Sequence, residues 1–271
     1  MSPQEMNFAD FRQTAVTKRT YHDNGEYMKE FVLKHRKKLI CTAIVIAVLV
    51  AAFAVYVGIY HHADDAAVSA FVDASGVEVV ETSGYYAVGG QNAKRGLIFY
   101  PGAKVEASAY LPLAVSLARE GVFTVVVKMP FNISFFDINA ANRIIRKFDS
   151  VGKWFVGGHS QGGSMAAIYA KNHETKVAGV VLLGAYSTAD FSGTGLTAFV
   201  AYGSNDGVLN MKRFDKNRDK LPEDTSYLVI DGGNHAGFGM YGEQKGDGVA
   251  TITTEEQIAI VTEMINGYTR K

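Results

Sequence analysis

At 271 residues, 48% hydrophobic and 20% charged, the chain has enough apolar mass for one large globular domain plus an appendage. Its 27 lysines and arginines balance 27 aspartates and glutamates, so charge gives no reason to expect a nucleic-acid partner. The single cysteine, Cys41, excludes an intrachain disulfide. No C-x-x-C, H-E-x-x-H or G-x-x-x-x-G-K-S/T spacing occurs, so neither a metal nor a nucleotide cofactor is implied.

Residues 1–33 are polar and mixed in charge, which predicts a disordered or loosely helical tail. Lys34-His35-Arg36-Lys37-Lys38 then abuts an uncharged apolar run over 39–60. At about 1.5 Å per residue that run spans roughly 30 Å of hydrocarbon and has no polar face, which predicts a transmembrane helix. Tyr56 and Tyr60 near its far end suit an interface, and no lysine or arginine follows until Lys94. The basic cluster therefore places the N-terminal tail, 1–38, in the cytoplasm and everything after residue 60 outside. The long polar stretch before the run favours an uncleaved signal anchor over a cleaved signal. Residues 61–76, rich in Ala and Asp, read as a linker, and 77–271 as the remaining domain.

From Val77 the pattern changes to period two. Residues 77–82 and 85–88 read as antiparallel strands joined by Ser83-Gly84. Apolar strands are then predicted over 96–100, 122–127, 154–156, 177–183, 196–202 and 227–230. Helices are predicted over 109–120, 136–148, 164–170 and 254–268. Near-continuous apolar strands alternating with helices mean a mostly parallel sheet covered on both faces, an α/β fold.

Between the predicted strand at 154–156 and the helix at 164–170 lies Gly157-Gly158-His159-Ser160-Gln161-Gly162-Gly163, with G-x-S-x-G at its centre. A strand ending at a serine that opens a helix is the context of a nucleophile elbow, where glycines let the backbone turn sharply and leave the hydroxyl exposed. A serine hydroxyl needs a base, and that base needs an orienting acid. On such a sheet they belong on loops at later strand ends, in the order serine, acid, histidine. Asp206 lies just past the strand at 196–202. His235, on the Gly-rich loop after 227–230, is the only histidine beyond residue 173. Asp190 is a rival acid from the preceding strand end, whereas Asp231 lies too close to its own strand end to reach round to His235. Oxyanion donors are expected from the backbone N–H of Gln161, at the helix start, and from the loop after the first parallel strand, with Ala103 as the candidate. Lys104 would add charge at the rim. His159 is expected to point away from the nucleophile and to pack beside the site. Phe131, Phe135 and Phe136, after the strand at 122–127, are candidates to line an acyl pocket, as are Tyr186 and Phe238.

The segments F-Y-P-G-A-K-V (99–105), V-K-M-P-F-N (127–132), G-G-H-S-Q-G-G (157–163), Y-G-S-N-D-G-V (202–208) and G-G-N-H-A-G-F-G (232–239) carry a family likeness. The chain resembles the α/β-hydrolase superfamily over roughly 77–270, near the dienelactone-hydrolase-like alpha/beta hydrolase fold-5 group. Dienelactone hydrolases usually carry cysteine as nucleophile; Ser160 resembles the esterase pattern instead. The resemblance implies hydrolysis of an ester, thioester or similar carbonyl compound through an acyl-serine intermediate. The interval 184–195 is too short for the large helical cap that many members insert. A binding protein that keeps the fold without catalysis, or a peptidase or acyltransferase on the same fold, would share these motifs.

Overall fold

The computed structural model of the chain describes residues 8–270, with side chains from residue 32 onward. It divides into two units, the first ending at Tyr56 and the second starting at Val57. Helix α1, Phe8–Gly58, makes up the described part of the first unit. Its stretch Val32–Gly58 is long and apolar enough to cross a membrane. The tail expected over 1–33 is helical from Phe8, and residues 1–7 lie outside the described residues. Helix growth from an existing nucleus adds one hydrogen bond per residue fixed, so a strong apolar helix readily extends into a polar neighbour.

The second unit begins differently from the sequence expectation. Residues 61–76 are a folded part of it rather than a linker. His61 pairs with Val105, donating its N–H to the Lys104 carbonyl at 2.7 Å and accepting from Glu106 N at 2.9 Å. Helix α2, Asp65–Ser75, follows. The Asp64 carboxylate accepts from Ala67 N at 3.1 Å as its N-cap, and Gly76 closes it at φ +65°. The alanine-rich composition that suggested a linker also favours helix, and Val68 supplies the buried contact that holds it down.

Eight strands form one sheet: β1 (Val79–Glu81), β2 (Tyr85–Val88), β3 (Arg95–Tyr100), β4 (Val122–Val127), β5 (Lys153–His159), β6 (Gly179–Leu183), β7 (Thr197–Gly203) and β8 (Thr225–Ile230). Their order is β1-β2-β4-β3-β5-β6-β7-β8; the β1–β2 and β2–β4 pairs are antiparallel and all others parallel. Successive side chains alternate between two cores. Leu97 and Phe99 of β3, Phe155 of β5 and Phe199 of β7 enter one. Helices α3 (Leu111–Arg119) and α7 (Thr254–Thr269) cover it. Ile98, Tyr100, Val156 and Val200 enter the other, under α4 (Ala140–Lys147), α5 (Gln161–Asn172) and α6 (Met211–Lys216). A strand buried on both faces cannot show a polar alternation, hence the unbroken apolar runs.

Helix boundaries moved where local chemistry intervened. The helix expected from 109 opens as a 3-10 turn at Ala107–Tyr110 before α3. The helix expected over 136–148 starts only at Ala140, because Phe131 and Asn132 take left-handed backbone at φ +56° and +55° and a 3-10 turn, Ser134–Asp137, follows. Helix α6 was not anticipated; Asn210 caps it by accepting from Arg213 N at 3.0 Å. Between β6 and β7 no helix forms, so nothing like a large cap is inserted there.

Candidate active site

Strand β5 delivers Ser160 to the carboxyl edge of the sheet on a strained turn. Its backbone sits at φ +53°, ψ −125°, a region that non-glycine residues avoid. The turn is fixed from both sides: Ser160 N donates to the Leu183 carbonyl at 2.9 Å, and Ser164 N donates to the Ser160 carbonyl at 3.2 Å. The flanking glycines are required by close approach. A Cβ on Gly158 would stand 2.3 Å from the Tyr100 carbonyl oxygen, and one on Gly162 would stand 2.1 Å from the same atom. Backbone of β3 occupies that space, so no side chain fits.

The other two expected residues meet each other. His235 Nδ1 lies 2.8 Å from Asp206 Oδ2, and each side chain is only 1% exposed. Asp206 uses its second oxygen, Oδ1, to accept from Val208 N at 2.9 Å and Leu209 N at 2.8 Å. The carboxylate is thus pinned, and its free edge receives the imidazole N–H. His235 Nε2 is buried and has no hydrogen-bond partner among the described residues. His235 and Ser160 line one cavity of about 270 Å³ together with Gln161, Tyr186, Leu209 and Asn210. The rival acids are engaged elsewhere. Asp190 accepts from Ser192 N at 3.0 Å and Ser192 Oγ at 2.7 Å, and Asp231 Oδ1 lies 3.5 Å from Ser204 Oγ.

Gln161 opens α5, so its N–H has no carbonyl a turn earlier in the helix. On the loop after β3, the Gly102 N–H donates to Tyr110 Oη at 3.1 Å and the Lys104 N–H to the Asn132 carbonyl at 2.6 Å. The Ala103 N–H between them makes no hydrogen bond among the described residues. Lys104, at φ +59°, and Phe131 are not among the residues lining the cavity. Phe131, 51% exposed, stacks edge-on with Phe136 at 5.5 Å, and Phe135 meets Phe136 at 5.8 Å. Tyr186 does line the cavity, whereas Phe238 is fully buried against His159 at 5.5 Å.

His159 is buried, with its ring 4.4 Å from that of His235. Its Nδ1 lies 2.8 Å from Tyr110 Oη. The same Tyr110 Oη accepts the Gly102 N–H at 3.1 Å, and His159 Nε2 is buried with no hydrogen-bond partner among the described residues. Burial, reinforced by the neighbouring His235, holds the His159 pKa well below the usual histidine range, so this ring stays neutral. One phenol therefore links the loop bearing Ala103 to the ring that packs, tilted, against His235. Sequence inspection did not find Tyr110, Val208, Leu209 or Asn210. Tyr110 sits at the start of an ordinary amphipathic helix; Val208 ends the segment 202–208 with nothing to mark its N–H as a donor, and Leu209 and Asn210 follow it without any motif of their own.

An eight-stranded sheet of this order, with a strained serine turn and a buried carboxylate–imidazole pair at its carboxyl edge, defines the α/β class of hydrolases. The chain belongs to the alpha/beta hydrolase family, whose model matches residues 96–259. No curated protein sequence matches it. Solved structures share its fold at low identity. A bacterial heroin esterase superposes with a TM-score of 0.53 at 15% identity, over 76% of this chain and 90% of its own. Est1E from Butyrivibrio proteoclasticus, with ferulic acid bound, gives 0.53 at 14%, over 74% of this chain and 99% of its own. A dienelactone hydrolase from Anabaena variabilis gives 0.50 at 15%, over 71% and 96%.

Proposed function

We propose that the protein is a membrane-anchored serine hydrolase that cleaves a small carboxylic ester or similar carbonyl compound. The observation that carries this reading is the buried Asp206–His235 pair, whose histidine lines the same cavity as Ser160 and keeps its Nε2 without a hydrogen-bond partner among the described residues. His235 Nε2 takes the Ser160 proton as Oγ bonds to the carbonyl carbon. Charge developing on the carbonyl oxygen is received by the N–H groups of Gln161 and Ala103. Collapse breaks the ester C–O bond, and His235 returns the proton to the departing alkoxide. Water, deprotonated by the same imidazole, then attacks the acyl carbon; the acyl C–Oγ bond breaks, His235 returns the proton to Ser160 Oγ, and the acid leaves. Family membership and the esterases among the structural neighbours support ester chemistry. A cavity of about 270 Å³ suits a short acyl group, because pockets for drug-sized ligands run from about 300 Å³ upward.

A fluorophosphonate probe should label the full-length chain in detergent and leave Ser160→Ala unlabelled. p-Nitrophenyl acetate and butyrate should turn over faster than the palmitate. Labelling that survives in Ser160→Ala would overturn the assignment of the nucleophile.

The stretch Val32–Gly58 supports an uncleaved anchor with a cytoplasmic N-terminus and an extracytoplasmic hydrolase domain. Alkaline carbonate should leave the protein in the membrane pellet at its full 29.4 kDa. Recovery in the supernatant, or as a species shortened at its N-terminus, would replace the anchor with a cleaved signal.

Tyr110→Phe tests the support beneath the site. It removes the partner of the Gly102 N–H and of His159 Nδ1 together, and each orphaned buried group costs about 1–3 kcal/mol. The expected result is a kcat lower by about tenfold, with KM little changed, alongside a loss of stability of a few kcal/mol in a denaturant melt.

A further inference from the structure

The acid and the base of the site come from loops 29 residues apart, and a third loop ties them together. Asp247 stands between Gly246, at φ +90°, and Gly248. Its Oδ1 accepts from Gly207 N at 3.0 Å, His235 N at 3.2 Å and Gly248 N at 2.9 Å. Its Oδ2 accepts from Ala236 N at 2.8 Å. Gly207 is the residue after Asp206. His235 and Ala236 are the base and its successor. One half-buried carboxylate therefore holds the peptide groups beside both members of the Asp206–His235 pair.

The surrounding backbone is built around this contact. A Cβ on Gly207 would come within 2.5 Å of the Gly246 carbonyl oxygen, and one on Gly248 within 2.0 Å of the Asn205 carbonyl oxygen. The two asparagines flanking the pair fasten the same loop: Asn205 Nδ2 donates to the Val249 carbonyl at 2.9 Å, and Asn234 Nδ2 to the Gly248 carbonyl at 2.9 Å. These side-chain amides hold the loop in place. The acid turn and the base turn also meet directly where Asn205 N donates to the Gly233 carbonyl at 2.9 Å, ahead of Asp206 and His235 in each turn. Asp247 joins them beyond that point, at Gly207 on one side and at His235 and Ala236 on the other, through a charged acceptor, and bonds of that kind are shorter and stronger than those between neutral groups.

We propose that Asp247 is the positioning residue of the site: it sets the distance between the turn carrying Asp206 and the turn carrying His235, and so aims Nε2 at Ser160. The inference rests on the serine-hydrolase reading. Its physical reason is that misplacing a general base by about 1 Å can cost on the order of 100-fold in rate while substrate binding is kept.

The test compares Asp247→Ala and Asp247→Asn with Arg95→Ala in the full-length protein. Arg95 lies far along the sheet from these loops, where its guanidinium holds the Asn266 carbonyl, Thr269 Oγ1 and the Glu120 carbonyl. It supplies a destabilised protein with an untouched site. Asp247→Ala should lower kcat for p-nitrophenyl butyrate by about 100-fold with KM within about threefold, whereas Arg95→Ala should keep kcat within about twofold despite a lower melting temperature. Asp247→Asn keeps the Oδ1 acceptor and loses the Oδ2 one, so it should recover about tenfold of the loss. Should Asp247→Ala fail to fold, Asp247→Asn must still fall about tenfold below the parent with KM unchanged. A kcat for either Asp247 variant no lower than that of Arg95→Ala overturns the proposal and leaves the hydrolase reading intact. A parent chain that neither labels nor turns over ester sinks both.

Discussion

Ser160→Ala is expected to lower kcat for ester hydrolysis by about 10^4 to 10^6-fold, with the melting temperature unchanged. The hydroxyl makes no hydrogen bond that caps α5, so its removal costs the fold little. Alanine pays the same backbone strain at φ +53° as serine does. What disappears is the proposed nucleophile. The cavity and the two proposed oxyanion donors remain, so substrate binding should persist and the loss should appear in kcat rather than KM. Any residual rate would come from polarisation of the carbonyl by the Gln161 and Ala103 N–H groups. The measurement is p-nitrophenyl butyrate turnover with purified full-length protein, alongside a thermal melt followed by circular dichroism. A residual rate above about a tenth of the parent would mean that another group attacks the ester.

Asp206→Asn should lower kcat by about 10^4-fold at neutral pH, although it changes one atom. The carboxylate Oδ2 accepts the His235 Nδ1 proton and so leaves the Nε2 lone pair for the serine hydroxyl. An asparagine could in principle turn its carbonyl oxygen toward the histidine. It is prevented from doing so, because Oδ1 faces two peptide donors, Val208 N and Leu209 N. The carbonyl must stay with those donors, so the amide NH2 faces Nδ1, and the imidazole is driven to the tautomer with its proton on Nε2. That tautomer cannot take a proton from Ser160. The companion change Asp190→Asn removes the other acid considered for this role, whose carboxylate bonds only Ser192 among the described side chains. It should leave kcat within about twofold. If Asp190→Asn gave the larger loss, the assignment of the acid would be reversed.

Both predictions depend on groups that differ in how far sequence alone could reach. The elbow was legible because its determinants are adjacent: an apolar strand, two glycines around Ser160, and a helix of small residues within about fifteen positions. The parallel sheet was legible because strands buried on both faces must read as apolar runs. The apolar helix near the N-terminus was legible for the same reason, since a long uncharged apolar segment has few folded environments open to it. The His235 position followed from strand order and from the absence of any later histidine, and Asp206 was preferred on loop position with Asp190 left open.

Composition misled where tertiary contacts took over. Residues 61–76 looked like a linker, yet Val68 found a core face and His61 an edge beside Val105. The aromatic residues after β4 looked like a pocket lining, yet the left-handed turn at Phe131 and Asn132 leaves Phe131 off the cavity wall, and Tyr186, Leu209 and Asn210 stand there instead.

What the sequence by itself determined is what periodicity and neighbours in the chain govern: the order of the sheet strands and of the helices expected between and after them, the serine on its turn, and the apolar helix. Only the tertiary structure decided which acid meets His235, that Tyr110 joins the Ala103 loop to His159, and that Asp247 bridges two loops. Those choices depend on hydrogen bonds between segments 8 to 49 residues apart. Such bonds leave no periodic trace in the chain and exist only once the sheet has brought the strand ends side by side.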